Sequence, residues 1–180
     1  MFTQKELVEN ICEQIYYCLL DMRATNSMEH RLLTLQSNHL DLLLKLLQSE
    51  IDIKSYLEEY SVLFSNEEQY ISPNVYTKQL AFLEEHQSAT VSTDNEVCCF
   101  IDVLQICNDN IKRHIDGKNY EAIKDEANYN HNVPSLIITK NIDLIEHYLS
   151  KCGVFQARCS KEVTQPYENI WQQVSRKFLP

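Results

Sequence analysis

GKNYEAIKDEANYNHNVPSLII, residues 117–138, reads as a helix stop, a short helix, a tight corner and the start of another helix. Gly117 follows Asp116 where a left-handed residue would close the preceding helix. Tyr120, Ile123, Ala127 and Asn130 share one face of the short helix, and Glu121, Asp125 and Glu126 fall toward the outside. His131 sits at the C-terminal end, where the helix dipole favours a cation. Asn132 tolerates left-handed geometry, and Pro134 makes Val133 extended before starting the next helix. A chain that turns one helix directly into the next is a helical protein, and the rest of the sequence agrees.

Glycine and proline are scarce: 2 and 4 among 180 residues. Sheets need turns, and turns draw on glycine, so long helices joined by few corners are the simplest construction. Apolar residues make up 44% of the chain, enough for a sizeable core. The apolar spacing is helical throughout. Thr3 and Glu6 have capping-box spacing, followed by Val8, Ile11, Ile15, Cys18 and Met22 on one face. Thr25-Asn26-Ser27 is a corner. A second helix carries Met28, Leu32, Leu35, His39, Leu42 and Leu46, with a further leucine face. Asp52 caps a third helix with Ile53, Tyr56, Leu57, Tyr60 and Leu63 inward. Residues 65–72 form a loop, and Ser72 with Pro73 opens a fourth helix that buries Val75, Tyr76, Leu80 and Leu83.

Residues 87–93 are a polar linker, and Thr93 with Glu96 repeats the capping-box spacing ahead of a long helix ending at Gly117. Asn141–Cys152 reads as a helix closed by Gly153, and a last helix begins near Pro166, with Tyr167, Trp171 and Phe178 as a core plug. The β-branched stretch Leu136–Thr139 also fits a strand, but one with no obvious partner. The expected fold is all-α: a single-domain irregular bundle of about seven or eight helices built from antiparallel hairpins. Residues 1–86 and 93–180 can form sub-bundles within it, joined by the polar loop.

The net charge of -10 is uneven: residues 1–92 carry 14 acidic and 6 basic side chains, residues 93–180 carry 12 and 10. Such a surface repels nucleic acid and anionic membranes and attracts basic proteins. The seven cysteines include no C-x-x-C pair, and glutamates interrupt the first twenty residues where a signal peptide needs an apolar run. A reduced, cytoplasmic protein is the expectation. Cys12, Cys18 and Cys107 lie on or beside apolar stripes and pack as small hydrophobes.

The residues Gly117, Tyr120, Ala127, His131, Asn132 and Pro134 form a pattern similar to one in small, helical, poorly characterised bacterial proteins with a His-Asn-x-Pro corner. Some of those resemble immunity proteins of toxin–antitoxin or contact-inhibition systems. The Asp that often follows the alanine there is replaced by Asn128. The resemblance covers about 22 residues and carries no catalytic residue across; what it implies is a helical fold and a binding role.

No Gly-rich phosphate loop, G-x-S-x-G or H-E-x-x-H occurs. His147, Cys152 and Cys159 match no structural zinc spacing, so no metal and no cofactor are expected. His131 beside Asp125 and Glu126 reads as a structural corner rather than an acid–base pair, and His39 as a satisfied buried polar residue in a leucine seam. The acidic doublets Glu58-Glu59, Glu67-Glu68 and Glu84-Glu85, with Tyr70 among them, are the expected contact surface for a basic protein partner such as a toxin domain. Two other functions fit the same chain: an adaptor or chaperone-like protein holding a peptide or effector, which requires an exposed apolar patch, and an enzyme using His131 or His39, which requires a pocket around that histidine.

Overall fold

Thr3 opens the first helix as its spacing predicts. Its hydroxyl accepts from the Glu6 amide, and the Glu6 carboxylate accepts from the Thr3 amide. In the computed structural model, which describes residues 2–25, 29–65 and 73–180 (side chains of 73–75 excepted), the helices are α1 (Gln4–Ala24), α2 (His30–Leu47), α3 (Ile53–Phe64), α4 (Pro73–Glu85), α5 (Cys98–Asp116), α6 (Tyr120–Asn130), α7 (Val133–Thr139), α8 (Ile142–Arg158) and α9 (Lys161–Phe178). Eight of them run from 11 to 21 residues, and α7 has only 7. The all-α bundle is as expected, and no strand occurs among the described residues. Met28, Glu67, Glu68, Tyr70, Ser72 and the side chain of Val75 lie outside the description.

α1 packs against α2, α4, α6 and α7, and α5 against α2, α6, α7 and α9. One contiguous core results, drawing Leu7, Ile11 and Ile15 from α1, Leu40 and Leu43 from α2, and Phe100, Leu104 and Ile111 from α5. α9 lies on α5, and α8 lies mainly on α9. Tyr167 and Trp171 are buried, and Phe178 rests against Phe100 at 5.3 Å, so the C-terminal aromatic plug forms. Cys12, Cys18 and Cys107 are buried thiols. Each such side chain removed from water contributes roughly 1.5–3 kcal/mol when large and apolar.

Several boundaries differ from the sequence expectation, each for a physical reason. α5 does end at Asp116, but Gly117 keeps right-handed geometry (φ -82°) and Lys118 takes the left-handed position (φ 55°). The Asn119 amide bonds to the His114 carbonyl at 2.8 Å and the Lys118 amide to Ile115, the two bonds of a Schellman cap. Asn132 is likewise right-handed (φ -96°), and Val133 is helical rather than extended. Val133 and Pro134 are both buried, and their packing outweighs the local preference before proline. Leu136–Thr139 is therefore helix, with Leu136 and Ile137 in the core.

α8 runs through Gly153 to Arg158, because one glycine weakens a helix by only about 1 kcal/mol. α9 begins at Lys161, and Pro166 sits inside it, where the buried stripe Val163, Tyr167, Trp171 and Val174 holds the helix together. Asp94, not Thr93, caps the short 3-10 turn Asn95–Val97 before α5, its carboxylate accepting from the Glu96 amide at 3.0 Å. Thr93 turns instead toward the Leu47 carbonyl.

Glu126 is the largest correction. It is fully buried. Ile123, Glu126 or Ala127, and Asn130 recur at three- and four-residue steps, so Glu126 shares the inward stripe. Tyr167 donates to its Oε2 at 2.6 Å and Asn110 to its Oε1 at 3.1 Å. Burial pushes its carboxyl up to about 8 despite those donors.

Candidate functional site

α2 is leucine-rich on its inner side, but Asn38, Asp41 and Lys45 recur at three- and four-residue steps and make one polar stripe. α3 packs beside it and turns Glu58, Glu59 and Val62 outward. Between the two helices lies an open groove of about 560 Å³. Its polar lining is Asn38, Asp41, Lys45, Glu58 and Glu59, and its apolar lining is Leu42, Val62 and Leu63. Val62 is 77% exposed, a β-branched apolar side chain left in water.

The charges of the groove are not equivalent. Asp41 accepts from Asn108 at 2.7 Å on one oxygen and is paired with Lys112 of α5 on the other. Its charge is therefore committed to holding α2 on α5. Glu58 and Glu59 make no ion pair among the described residues, and both stand exposed. They are the uncommitted negative charges of the groove, and Lys45 is its cation.

Of the residues expected from sequence to meet a partner, the structure thus brings Glu58 and Glu59 to a concave surface. Glu84 and Glu85 are exposed in the last turn of α4 and do not line this groove. Glu67, Glu68 and Tyr70 lie outside the described residues. The α2 side of the groove was missed. Its signal was present as the spacing Asn38, Asp41, Lys45, which the surrounding leucines masked.

The two histidines singled out from sequence occupy different surroundings. His39 is buried among Tyr56, Tyr60, Phe64 and Tyr76, with ring centroids at 5.0–6.3 Å. Tyr56 donates its only proton to Gln14 Oε1 at 2.8 Å, so the 3.0 Å contact to His39 Nε2 is a bond donated by the imidazole. Burial holds that imidazole down at about 3, a neutral ring bonded inside the core. His131 is half-buried at the end of α6. Its Nδ1 lies 2.8 Å from the Asn128 carbonyl, which can only accept, so Nδ1 carries the proton.

Gly117 is an exposed helix end, and Pro134 a buried residue in the first turn of α7. Asn132 is half-buried at the N-cap of α7 and makes no side-chain cap bond. Among the described residues no cluster of His, Cys, Asp and Glu could hold a metal ion, and no helix is long and apolar enough to cross a membrane. No protein-family model matches the chain, and neither a curated protein nor a solved structure is significantly similar to it.

Proposed function

We propose that this chain is a small acidic binding protein whose α2–α3 groove receives a basic amphipathic helix of a protein partner. The observation that carries this reading is the pairing of two uncommitted carboxylates, Glu58 and Glu59, with an apolar floor that leaves Val62 in water. A helix laid in the groove would bury its leucines on Leu42, Val62 and Leu63 and bring lysines or arginines to the two glutamates. Long-range attraction from the -10 net charge would speed the encounter. If the bound segment borders a cationic active site, occupancy would cover it. That is how an immunity protein would neutralise a basic toxin. The apolar floor equally supports the adaptor reading, in which the bound helix is a carried effector segment.

The test is a titration of the chain with a synthetic amphipathic Lys–Leu helical peptide, at low and at physiological salt. Binding should weaken with salt and fall about tenfold or more in E58K/E59K. E84K/E85K makes the same change of charge outside the groove and should bind close to the unaltered chain. Equal losses in the two variants, or no binding to the unaltered chain at low salt, would overturn the reading.

A further inference from the structure

A second concave surface carries the opposite charge. α8 is anchored on α9, and it splays from α6 to leave a cleft of about 330 Å³. Two facing stripes line it. α8 contributes His147, Lys151 and Arg158 at four- and seven-residue steps, with Tyr148 and Phe155 beside them. The end of α6 contributes Asp125, Asn128 and Tyr129, followed by His131 and Asn132 of the corner. Two cations, Lys151 and Arg158, thus face one carboxylate, Asp125, with His131 and His147 beside them, in a chain whose acidic residues outnumber Lys and Arg 26 to 16.

Lys151 and Arg158 are exposed and make no ion pair among the described residues. Arg23 of α1 adds charge at the rim, its guanidinium donating to Asn128 Oδ1 at 3.3 Å. The cleft also has an aromatic wall. Tyr129 and Phe155 stack at 4.1 Å with their planes 15° apart, and Tyr148 meets Tyr129 edge-on at 6.4 Å. Val154 forms an apolar lip that is 62% exposed.

We propose that this cleft binds a small aromatic carboxylate. Lys151 and Arg158 would take the carboxylate, Arg158 being able to hold it through two parallel bonds. The ring would lie on the Tyr129–Phe155 wall, where offset stacking adds to area burial. The volume lies near the lower end for small-molecule sites and suits a one- or two-ring ligand. The cleft shares no lining residue with the α2–α3 groove.

The experiment is calorimetric titration of the full chain with naphthoate and, in parallel, with the uncharged amide of the same ring system. Naphthoate should bind, and the amide should bind about tenfold or more weakly. K151Q/R158Q should lose naphthoate binding by a similar factor and leave the thermal melt unchanged, since both side chains are exposed. Val154→Ala should weaken both ligands equally. Equal affinity for acid and amide, undiminished binding in the double variant, or no heat from naphthoate at millimolar concentration would each overturn the proposal.

Discussion

The two halves of the molecule solve one problem, a titratable group in a dry interior, in opposite senses. In the first half His39 donates to Tyr56, Tyr56 to Gln14, Gln14 to Asn10 and Asn10 to the Gln79 carbonyl. That directional chain stitches α2, α3, α1 and α4 together. In the second half Glu126 accepts from Asn110 and Tyr167, Asn130 donates to Tyr167, and Asn110 also reaches the Val163 carbonyl. This cluster joins α5, α6 and α9. Burial keeps both groups neutral, holding the imidazole down at about 3 and the carboxyl up at about 8. The difference is the direction of failure. The histidine network is threatened by acid and the glutamate network by base.

The largest effect should come from breaking the chain at its middle. Tyr56→Phe removes the oxygen that accepts from His39 and the proton given to Gln14, and so strands two buried groups. At about 1–3 kcal/mol for each stranded group, the unfolding free energy should drop by roughly 2–6 kcal/mol in urea titrations. Tyr167→Phe takes a donor from Glu126 and an acceptor from Asn130, but Glu126 keeps Asn110 and Asn130 keeps the Glu126 carbonyl, so it should cost less. If Tyr56→Phe costs no more than Tyr167→Phe, the first network is not the sealed chain described.

The next effect sharpens the contrast in pH. A raised Glu126 contributes stability that is full below its unfolded pKa near 4.5 and is lost as pH rises toward 8. A depressed His39 contributes stability that is full above 6.5 and is lost as pH falls toward 3. Between about 4.5 and 6.5 the two slopes oppose each other, so these groups produce a plateau. From 6.5 to 8 only the glutamate acts, at about 1.4 kcal/mol per pH unit, or roughly 2 kcal/mol in all. Glu126→Gln should remove that alkaline slope and leave the acid limb intact. A variant that retains the slope would assign it to another group.

What the sequence disclosed tracks what is locally determined. Val8, Ile11, Ile15 and Cys18 declare a buried face by spacing alone, and Thr3 with Glu6 declares a cap, because both depend on neighbours within a turn or two. Glu126 was hidden because its inward position is legible from Ile123 and Asn130, but its tolerance there depends on Asn110 and Tyr167, 16 and 41 residues away. The groove was half legible. Glu58 and Glu59 stood out as a doublet, while Asp41 lay masked among leucines and is bound by Asn108 and Lys112, 67 and 71 residues away. Pro166 and Gly153 misled for the same reason: both are breakers by local preference, and tertiary packing carried the helix through them.

The smallest effect compares the halves at their helix ends. Both α2 and α5 close with a Schellman cap, and neither uses glycine at the left-handed residue: Ser49 has φ 60° and Lys118 has φ 55°. A side chain there costs about 1 kcal/mol relative to glycine. Lys118 is exposed, and among the described residues no side-chain hydrogen bond or ion pair of its own offsets that cost. Lys118→Gly should therefore raise stability by about 0.5–1 kcal/mol, or roughly 1–4 °C in the melt. Ser49 differs, because its hydroxyl donates to the Val91 carbonyl and fastens the end of α2 to the segment before α5. Ser49→Gly relieves the same strain and loses that bond, worth about 0.5–1.5 kcal/mol, so its net change should be near zero or negative. An equal gain from both substitutions would mean that the Ser49 tether contributes nothing and that the two caps differ only in sequence.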